Sequence, residues 1–308
     1  MKILLTGATG MVGRNLLEHP EARQIEWLTP THNELELTNY PATLVYIERH
    51  QPDLIIHAAG RVGGIQANMR EPVKFLTDNL DMGRNLLLAA ANAGVQNLIN
   101  IGSSCMYPRN RSSALIEEDV LTGELEPTNE GYALAKITVA RLAEYLVREN
   151  PSLHYKTIIP CNLYGRHDKF DPRWSHLIPA ILHKLHQAKI AGHDTVEIWG
   201  DGTARREFMY AGDLADALIS ASQRLQDMPA MLNIGLGTDH SVNEYYEIAA
   251  DVVGYQGTFT HDVNNPVGMS RKLTDISKAH HWGWRARTTL CHGLSKTYKY
   301  YLQTLIEK

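Results

Sequence analysis

The 308-residue sequence has only three cysteines, Cys105, Cys161 and Cys291, and they lie far apart in the chain. Disulfide-stapled folds and zinc knuckles need paired cysteines at short spacing, so the sequence predicts neither. Isolated cysteines are instead typical of a protein in a reducing compartment. His183 and His186 share a helical face, but no cysteine or carboxylate nearby completes a ligand set, so we predict no metal site.

A dominant charge of one sign and a long apolar run are also missing. The 30 Lys and Arg residues and 34 Asp and Glu residues give a net charge of -4, dispersed along the chain. This balance predicts no nucleic-acid partner. The apolar run at residues 2–5 is too short for a signal peptide, and no run reaches membrane length. We therefore expect a cytoplasmic globular enzyme without a membrane partner.

The first residues contain the glycine pattern of a dinucleotide-binding loop. Residues 2–5 predict a buried strand, the stretch T-G-A-T-G-M-V-G at 6–13 follows at once, and a helical pattern begins after it. Glycines in this place permit a tight turn and let a pyrophosphate approach the helix N-terminus. The loop residues predicted to contact the cofactor are Gly7, Thr9, Gly10, Met11, Val12 and Gly13.

Short apolar segments alternate with helical patterns through the first half of the chain. The strand-like segments are 2–5, 25–28, 54–57, 98–101 and 156–159, and the helical ones are 39–50, 72–93 and 131–149. This alternation predicts an α/β fold built on a Rossmann-type, doubly wound parallel sheet. Ligands bind such sheets at the carboxyl ends of the strands, where the small residues Ala58, Ala59 and Gly60 would admit a cofactor.

The texture of the sequence changes after about residue 165, where Pro, Trp and His become more frequent. We expect residues 1–165 to form the dinucleotide-binding domain, with approximately 208–235 returning to it. Residues 166–207 and 236–308 are expected to form a smaller α/β lobe that binds the substrate.

Two short motifs bring a hydroxyl, a thiol, a phenol and an ammonium together. Ser103 and Cys105 follow the strand-like segment at 98–101, while Tyr132 and Lys136 are four residues apart and share a helical face. The ammonium is expected to lower the pKa of Tyr132, so that the phenol exchanges a proton with a carbonyl oxygen that receives a hydride. Ser103 can hydrogen-bond the same oxygen. Carbonyl reduction needs no thiol, so Cys105 indicates a second reaction at that carbonyl.

These motifs resemble the extended short-chain dehydrogenase/reductase family, and within it the bifunctional 3,5-epimerase/4-reductases of GDP-linked keto sugars. The resemblance covers nearly the whole chain. Its matching stretches are 61–65, 102–108, 126–130, 162–165, 175–180, 199–203, 206–208 and 271–273. The Tyr-x-x-x-Lys pair marks only the superfamily, whereas Ser-Ser-Cys and Ser-His-x-Ile-Pro-Ala are far more specific.

The resemblance implies that Ser103, Tyr132 and Lys136 form the reductase triad. It implies that Cys105 and His176 are the base and the acid of epimerisation. The chemistry is consistent, because a 4-keto group acidifies the protons on C3 and C5 of a hexose. Groups that polarise O4 for hydride attack also stabilise the enolate, so one site can serve both reactions.

The resemblance also implies NADPH as the cofactor, with NADH less favoured. Two arginines that grip the 2′-phosphate in the family are replaced here by Thr9 and His32. However, residues 29–31 supply no carboxylate for an NAD ribose, and Arg14 or His32 could contact the phosphate. The remaining cofactor residues are Ala58, Ala59, Gly60, Tyr132, Lys136 and His176. The substrate residues implied are Ser104, Asn162, Lys184, Trp199, Arg206 and Lys272, of which Lys184, Arg206 and Lys272 would meet phosphate or ribose.

Several functions remain open at this stage. The leading expectation is NADPH-dependent conversion of GDP-4-keto-6-deoxy-D-mannose to GDP-L-fucose. The same mechanism on a 3-deoxy ketone would give GDP-L-colitose with inversion at C5 only, and a GDP-6-deoxy-heptose reductase is a further variant. An NAD-retaining epimerase or dehydratase and a non-catalytic dinucleotide sensor are alternatives of other classes. The resemblance finally implies a homodimer, through a four-helix contact of 72–93 and 131–149.

Overall fold

A six-stranded parallel sheet lies at the centre of the computed structural model, which describes residues 1–171, 175–264 and 269–306. The strands are β1 (Lys2–Thr6), β2 (Glu26–Leu28), β3 (Leu54–His57), β4 (Asn97–Ile101), β5 (His154–Pro160), β6 (Asn162–Tyr164), β7 (Thr195–Trp199), β8 (Arg205–Arg206), β9 (Phe208–Tyr210), β10 (Met231–Ile234), β11 (His240–Ser241), β12 (Thr258–Asp262) and β13 (Arg271–Lys272). The helices are α1 (Met11–Leu17), α2 (Tyr40–His50), α3 (Ile65–Arg70), α4 (Pro72–Asn92), α5 (Glu130–Glu149), α6 (Leu177–Ala191), α7 (Ala211–Gln223), α8 (Val242–Val253), α9 (Ser277–Trp282) and α10 (Leu290–Ile306).

The central sheet has the strand order β10-β5-β4-β3-β1-β2, and every neighbouring pair in it is parallel. This order confirms the predicted α/β, Rossmann-like fold. The predicted strand at 54–57 coincides with β3, and the predicted helices at 39–50, 72–93 and 131–149 differ from α2, α4 and α5 by one residue at an end.

Helices cover both faces of the sheet, which explains why its strands are apolar throughout. In β1, Ile3 and Leu5 point to the face that α1 and α7 cover, and they pack with Leu214 and Leu218. Leu4 points to the opposite face, where α2, α4 and α5 pack. The period-two alternation of a strand therefore places consecutive apolar residues in two separate cores.

The smaller part of the molecule is built from short sheets and three helices. Its strands pair as β11-β8-β13, β12-β7 and β6-β9, and a second core joins α6, α8 and α10. Strand β10 lies in the central sheet beside β5. Trp282 and Trp284, in the stretch expected to belong to the lobe, pack into the core of that sheet. The predicted domain boundaries stay a prediction.

Within the described part of the chain, no helix is both long and apolar enough to span a bilayer. The same residues contain no group of His, Cys, Asp and Glu side chains arranged to hold a metal ion.

Candidate active site

The carboxyl ends of β1, β3, β4 and β5 open into a cavity of about 1260 Å³. Side chains from α6, β7, β8 and β13 also line it. Of the residues predicted from the sequence, those that line the cavity are Gly7, Thr9, Gly10, Met11, Val12, Ala58, Ala59, Gly60, Ser103, Ser104, Cys105, Tyr132, Lys136, Asn162, His176, Lys184, Trp199, Arg206 and Lys272. Gly13 and His32 do not line it. The topology therefore brings nearly the whole predicted set to one place.

The glycine loop joins β1 to the N-terminus of α1. Gly7 has φ +73°, and a Cβ there would lie 2.6 Å from the backbone nitrogen of Ala59. A Cβ on Gly13 would lie 2.5 Å from the carbonyl oxygen of Gly7, so this glycine lets α1 pack closely against the loop. Gly7 thus shapes the cavity wall, while Gly13 acts from behind it, the division of roles typical of a dinucleotide-binding turn.

A buried polar pair holds the strip of small residues after β3. Thr6 Oγ1 lies 2.9 Å from His57 Nδ1 and accepts a hydrogen bond from the Ala59 nitrogen at 3.3 Å. Burial, reinforced by the charge of Lys136, lowers the pKa of His57 to about 3, so its imidazole is neutral. This pair fixes the backbone against which a cofactor would lie. Sequence reasoning assigned it no role.

His32 lies outside the cavity wall, on the surface after β2. Its Nε2 is 2.7 Å from a carboxylate oxygen of Glu36, one turn further along the chain. The side chain is largely exposed. The predicted contact between His32 and the cofactor stays a prediction.

Tyr132 stands at the cavity wall near the start of α5. Desolvation raises its pKa above the usual value, negative charge on Cys105 raises it further, and a hydrogen bond with the side chain of Ser103 lowers it. The expectation of a lowered pKa is therefore wrong for this structure. A protonated phenol beside Ser103 is suited to giving a proton to a carbonyl oxygen.

Lys136 lies one helical turn further along α5 and is buried. Its Nζ donates a 2.8 Å hydrogen bond to the carbonyl oxygen of Ile101 at the end of β4, and it lies 5.8 Å from the centre of the Tyr132 ring. Burial lowers the pKa of Lys136 to about 8. The lysine is thereby anchored to the sheet beside the phenol.

Cys105 and His176 line the cavity from two different elements of the fold. Cys105 lies in a tight turn after β4, where its backbone nitrogen donates a 3.2 Å hydrogen bond to Ser103 Oγ. His176 immediately precedes α6. Burial lowers the pKa of His176, and so do the charges of Lys169 and Lys272.

The far end of the cavity carries cations and an exposed indole. Arg206 on β8 and Lys272 on β13 are neighbours across parallel strands, and Lys184 on α6 donates to the carbonyl oxygen of Glu197. Trp199, at the end of β7, is 52% exposed. Asn162 is tied through its Nδ2 to the carbonyl oxygen of Glu207 at 3.0 Å. Such a wall suits a diphosphate and a stacked base.

Comparison with known proteins agrees with this geometry. Residues 3–235 match the family described as the NAD dependent epimerase/dehydratase family. The chain belongs to this family.

Two relatives align with this family member along almost the whole chain. It is 53% identical over 302 residues to the GDP-L-colitose synthase of Yersinia pseudotuberculosis, covering 98% of both chains. It is 48% identical over 301 residues to the GDP-L-fucose synthase of Azorhizobium caulinodans, covering 98% of this chain and 96% of the relative.

Solved structures with similar folds include two GDP-heptose reductases from Campylobacter jejuni. A GDP-6-OMe-4-keto-L-xylo-heptose reductase superposes with a TM-score of 0.91 at 28% identity, covering 98% of each chain. A GDP-mannoheptose C4 reductase with NADP bound has a TM-score of 0.89 at 29% identity, again covering 98% of each chain. The names of both reductases specify GDP-linked sugars.

A buried carboxylate that the sequence did not single out supports the substrate side of the site. Glu207 follows Arg206 and accepts hydrogen bonds from the nitrogens of Leu236 and Gly237 and from both the nitrogen and Oγ1 of Thr274. It therefore ties β8 to the segment that carries Lys272. Burial raises its pKa, which these hydrogen bonds oppose. The only signal for Glu207 in the sequence is its place in the stretch 206–208 that resembles the family.

Proposed function

We propose that the chain is an NADPH-dependent epimerase and reductase that converts GDP-4-keto-6-deoxy-D-mannose to GDP-L-fucose. The observation that carries the proposal is the meeting of two chemistries in one cavity. Ser103 and Tyr132 form a proton-donating pair, and Cys105 and His176 bring two further acid/base groups to the same space. Full-length similarity to a GDP-L-fucose synthase supports the substrate class.

The cofactor would lie along the glycine loop and the strip at Ala58–Gly60. The left-handed turn at Gly7, the N-terminus of α1 and the small size of the residues on the strip fit a dinucleotide. Lys136 would contact its ribose. When bound, NADPH supplies the hydride.

The reductase residues act on the carbonyl oxygen, O4. Ser103 would donate a hydrogen bond to O4, and Tyr132 would deliver a proton to it as negative charge develops. The phenol of Tyr132 is protonated at neutral pH, and the Lys136 ammonium, which lies 5.8 Å from the centre of its ring, would stabilise the phenolate that remains. The same two donors would stabilise an enolate oxygen, so the pair serves epimerisation without rearrangement.

The epimerisation residues act on the carbons beside the carbonyl. Cys105 would remove a proton from one face of the sugar, and His176 would return one to the other face. Two groups are needed because inversion requires proton exchange on opposite faces. The lowered pKa of His176 makes its imidazolium form a stronger proton donor.

The cationic wall would bind the GDP group, with Lys184 and Arg206 at the phosphates and Trp199 stacked on the base.

We further propose a cytoplasmic homodimer that uses α4 and α5. Val73 on α4 and Tyr145 on α5 are apolar side chains left exposed on these helices.

A second candidate is the synthesis of GDP-L-colitose, in which a 3-deoxy ketone is inverted at C5 only and then reduced. The observation that favours it is the 53% identity to a GDP-L-colitose synthase. The catalytic residues and the cofactor would be the same, and only the group on C3 differs.

Product analysis in D₂O tests the proposal directly. With NADPH and GDP-4-keto-6-deoxy-D-mannose, we expect oxidation of the cofactor and a GDP-L-fucose product that carries deuterium at both C3 and C5, observed by NMR. Label at C5 alone, or faster turnover of the 3-deoxy ketone, would instead assign the colitose reaction. Unlabelled reduced product would indicate a simple reductase, such as one acting on a heptose. No oxidation of NADPH with either ketone would remove the proposal in favour of a cofactor-retaining epimerase or a sensor.

The cofactor preference provides a separate prediction. His32→Asp is expected to weaken NADPH binding about tenfold and to leave NADH binding nearly unchanged, because a carboxylate repels a 2′-phosphate. Fluorescence titration with both cofactors measures this. Glu36→Gln is the matched control. It removes the carboxylate that pairs with His32 and should not weaken the binding of NADPH. Equal losses for NADPH and NADH in His32→Asp would contradict a phosphate contact by His32.

A further inference from the structure

The sulphur of Cys105 accepts hydrogen bonds from two side chains that have no role in the proposed proton transfers. Asn129 Nδ2 donates to Sγ at 3.2 Å, and Lys272 Nζ donates to it at 3.6 Å. The three residues line one cavity. A sulphur atom that accepts hydrogen bonds from an amide and an ammonium is better able to carry negative charge.

The side chain of Asn129 contacts Cys105 and does not cap helix α5. It occupies the N-cap of α5, where an asparagine side chain usually accepts a hydrogen bond from the first turn, yet it makes no such bond. Its Nδ2 is turned to Cys105 instead. Its Oδ1 is buried and has no hydrogen-bond partner among residues 1–171, 175–264 and 269–306. A polar group placed against local preference is typical of a functional site.

Lys272 is held by the fold rather than by an acidic partner. Strand β13 pairs with β8, and two residues further on Thr274 bonds twice to the buried carboxylate of Glu207. In the part of the chain that the structure describes, Lys272 forms no ion pair. Its positive charge therefore acts on its neighbours in the cavity, and it contributes to the lowered pKa of His176.

We propose that Asn129 and Lys272 are positioning residues that hold the Cys105 sulphur in place and stabilise its thiolate for proton abstraction. The inference rests on the proposed function and deepens it. For Lys272 this role goes beyond a contact with the diphosphate. The proton that Cys105 takes from the sugar returns to solvent, and no further reactant is required.

Alkylation of the free enzyme tests the effect on the sulphur without any substrate. Iodoacetamide reacts with the thiolate, so its rate at one pH reports the charged fraction. In a Cys291→Ser background, which removes the exposed thiol, Lys272→Met is expected to slow alkylation of Cys105 about tenfold at pH 7. Lys272→Arg should restore most of the rate. Arg271→Gln removes a charge from the same strand outside the cavity and should leave the rate unchanged.

Peptide mass spectrometry assigns the modified cysteine in each variant. An unchanged rate at Cys105 in Lys272→Met would overturn the role of the ammonium. An equal loss in Arg271→Gln would assign the effect to strand β13 as a whole and would overturn it too. Neither outcome depends on the identity of the sugar.

Proton exchange on the ketone tests the consequence for the reaction. With NADP⁺ bound so that no hydride is transferred, we expect Asn129→Leu to lower the kcat of deuterium uptake about tenfold, with the KM for the ketone changed less than about threefold. Loss of a residue that only binds the diphosphate would raise KM and leave kcat intact. A raised KM with an unchanged kcat in Lys272→Met would therefore overturn the positioning role. Absence of exchange in the unaltered enzyme would count against the proposed function, whereas the alkylation result would stand.

Discussion

Tyr132→Phe is expected to slow hydride transfer from NADPH to the keto sugar by about a thousandfold. A general acid positioned at a carbonyl oxygen contributes on the order of 10²–10⁴ in rate. The phenylalanine ring preserves the packing near Phe75 but removes the proton that O4 must receive. The proton that is lost in the variant resides on this phenol at neutral pH, where burial holds the pKa of Tyr132 above its usual value.

Single-turnover absorbance of NADPH measures the change, since it isolates hydride transfer from product release. Cofactor binding should change less than about threefold, because Lys136 and the glycine loop are untouched. Tyr155→Phe is the matched control. Tyr155 lies in β5, away from the cavity, and its hydroxyl donates a hydrogen bond to the carbonyl oxygen of Val95. Loss of this hydroxyl is expected to lower the stability by about 1 kcal/mol without slowing hydride transfer. Near-normal turnover in Tyr132→Phe would assign the proton donation to another group, with Ser103 the nearest.

The sequence was sufficient for the parts of the fold that repeat a local pattern. Strand β3 and the helices α2, α4 and α5 were predicted to within a residue at each end, because apolar periodicity is set by the secondary structure itself. The sheet edge was equally predictable. Parallel strands all end on one side, so motifs that follow β1, β3 and β4 had to meet.

Properties that depend on burial could not be predicted in this way. The spacing of Tyr132 and Lys136 correctly placed them on one helical face, but the sequence does not contain the desolvation that raises the pKa of the phenol. Gly13 illustrates the same limit. The motif shows that a glycine is required there, not whether the requirement comes from a ligand or from packing against Gly7.

Contacts between residues far apart in the sequence could not be predicted either. Lys272 and Cys105 are 167 positions apart, so no spacing rule relates them, and the family resemblance assigned Lys272 only to the phosphate or ribose. Asn129 is closer in sequence, but an asparagine ahead of a helix is ordinarily interpreted as a cap. Only the three-dimensional arrangement indicates that both side chains converge on one sulphur atom.

Cys105→Ser is expected to lower deuterium uptake at C3 and C5 about a thousandfold while NADPH still binds. The substitution replaces a thiol, whose ordinary pKa is about 8.5, with a hydroxyl that has no basic form near neutral pH. Asn129 and Lys272 cannot compensate, because hydrogen bonds that stabilise a thiolate do not make an alkoxide accessible. The measurement is NMR of the ketone in D₂O with NADP⁺ bound.

The substitution also separates the two activities of the cavity. Ser103, Tyr132 and Lys136 remain in place, so a GDP-4-keto sugar that already has the inverted configuration should still be reduced at a rate within about threefold of normal. Cys291→Ser changes an exposed thiol outside the cavity and should affect neither reaction. Equal loss of exchange and reduction in Cys105→Ser would indicate that the sulphur supports the whole site rather than one proton transfer. Undiminished exchange would transfer the role of base to His176, the other acid/base group proposed for epimerisation.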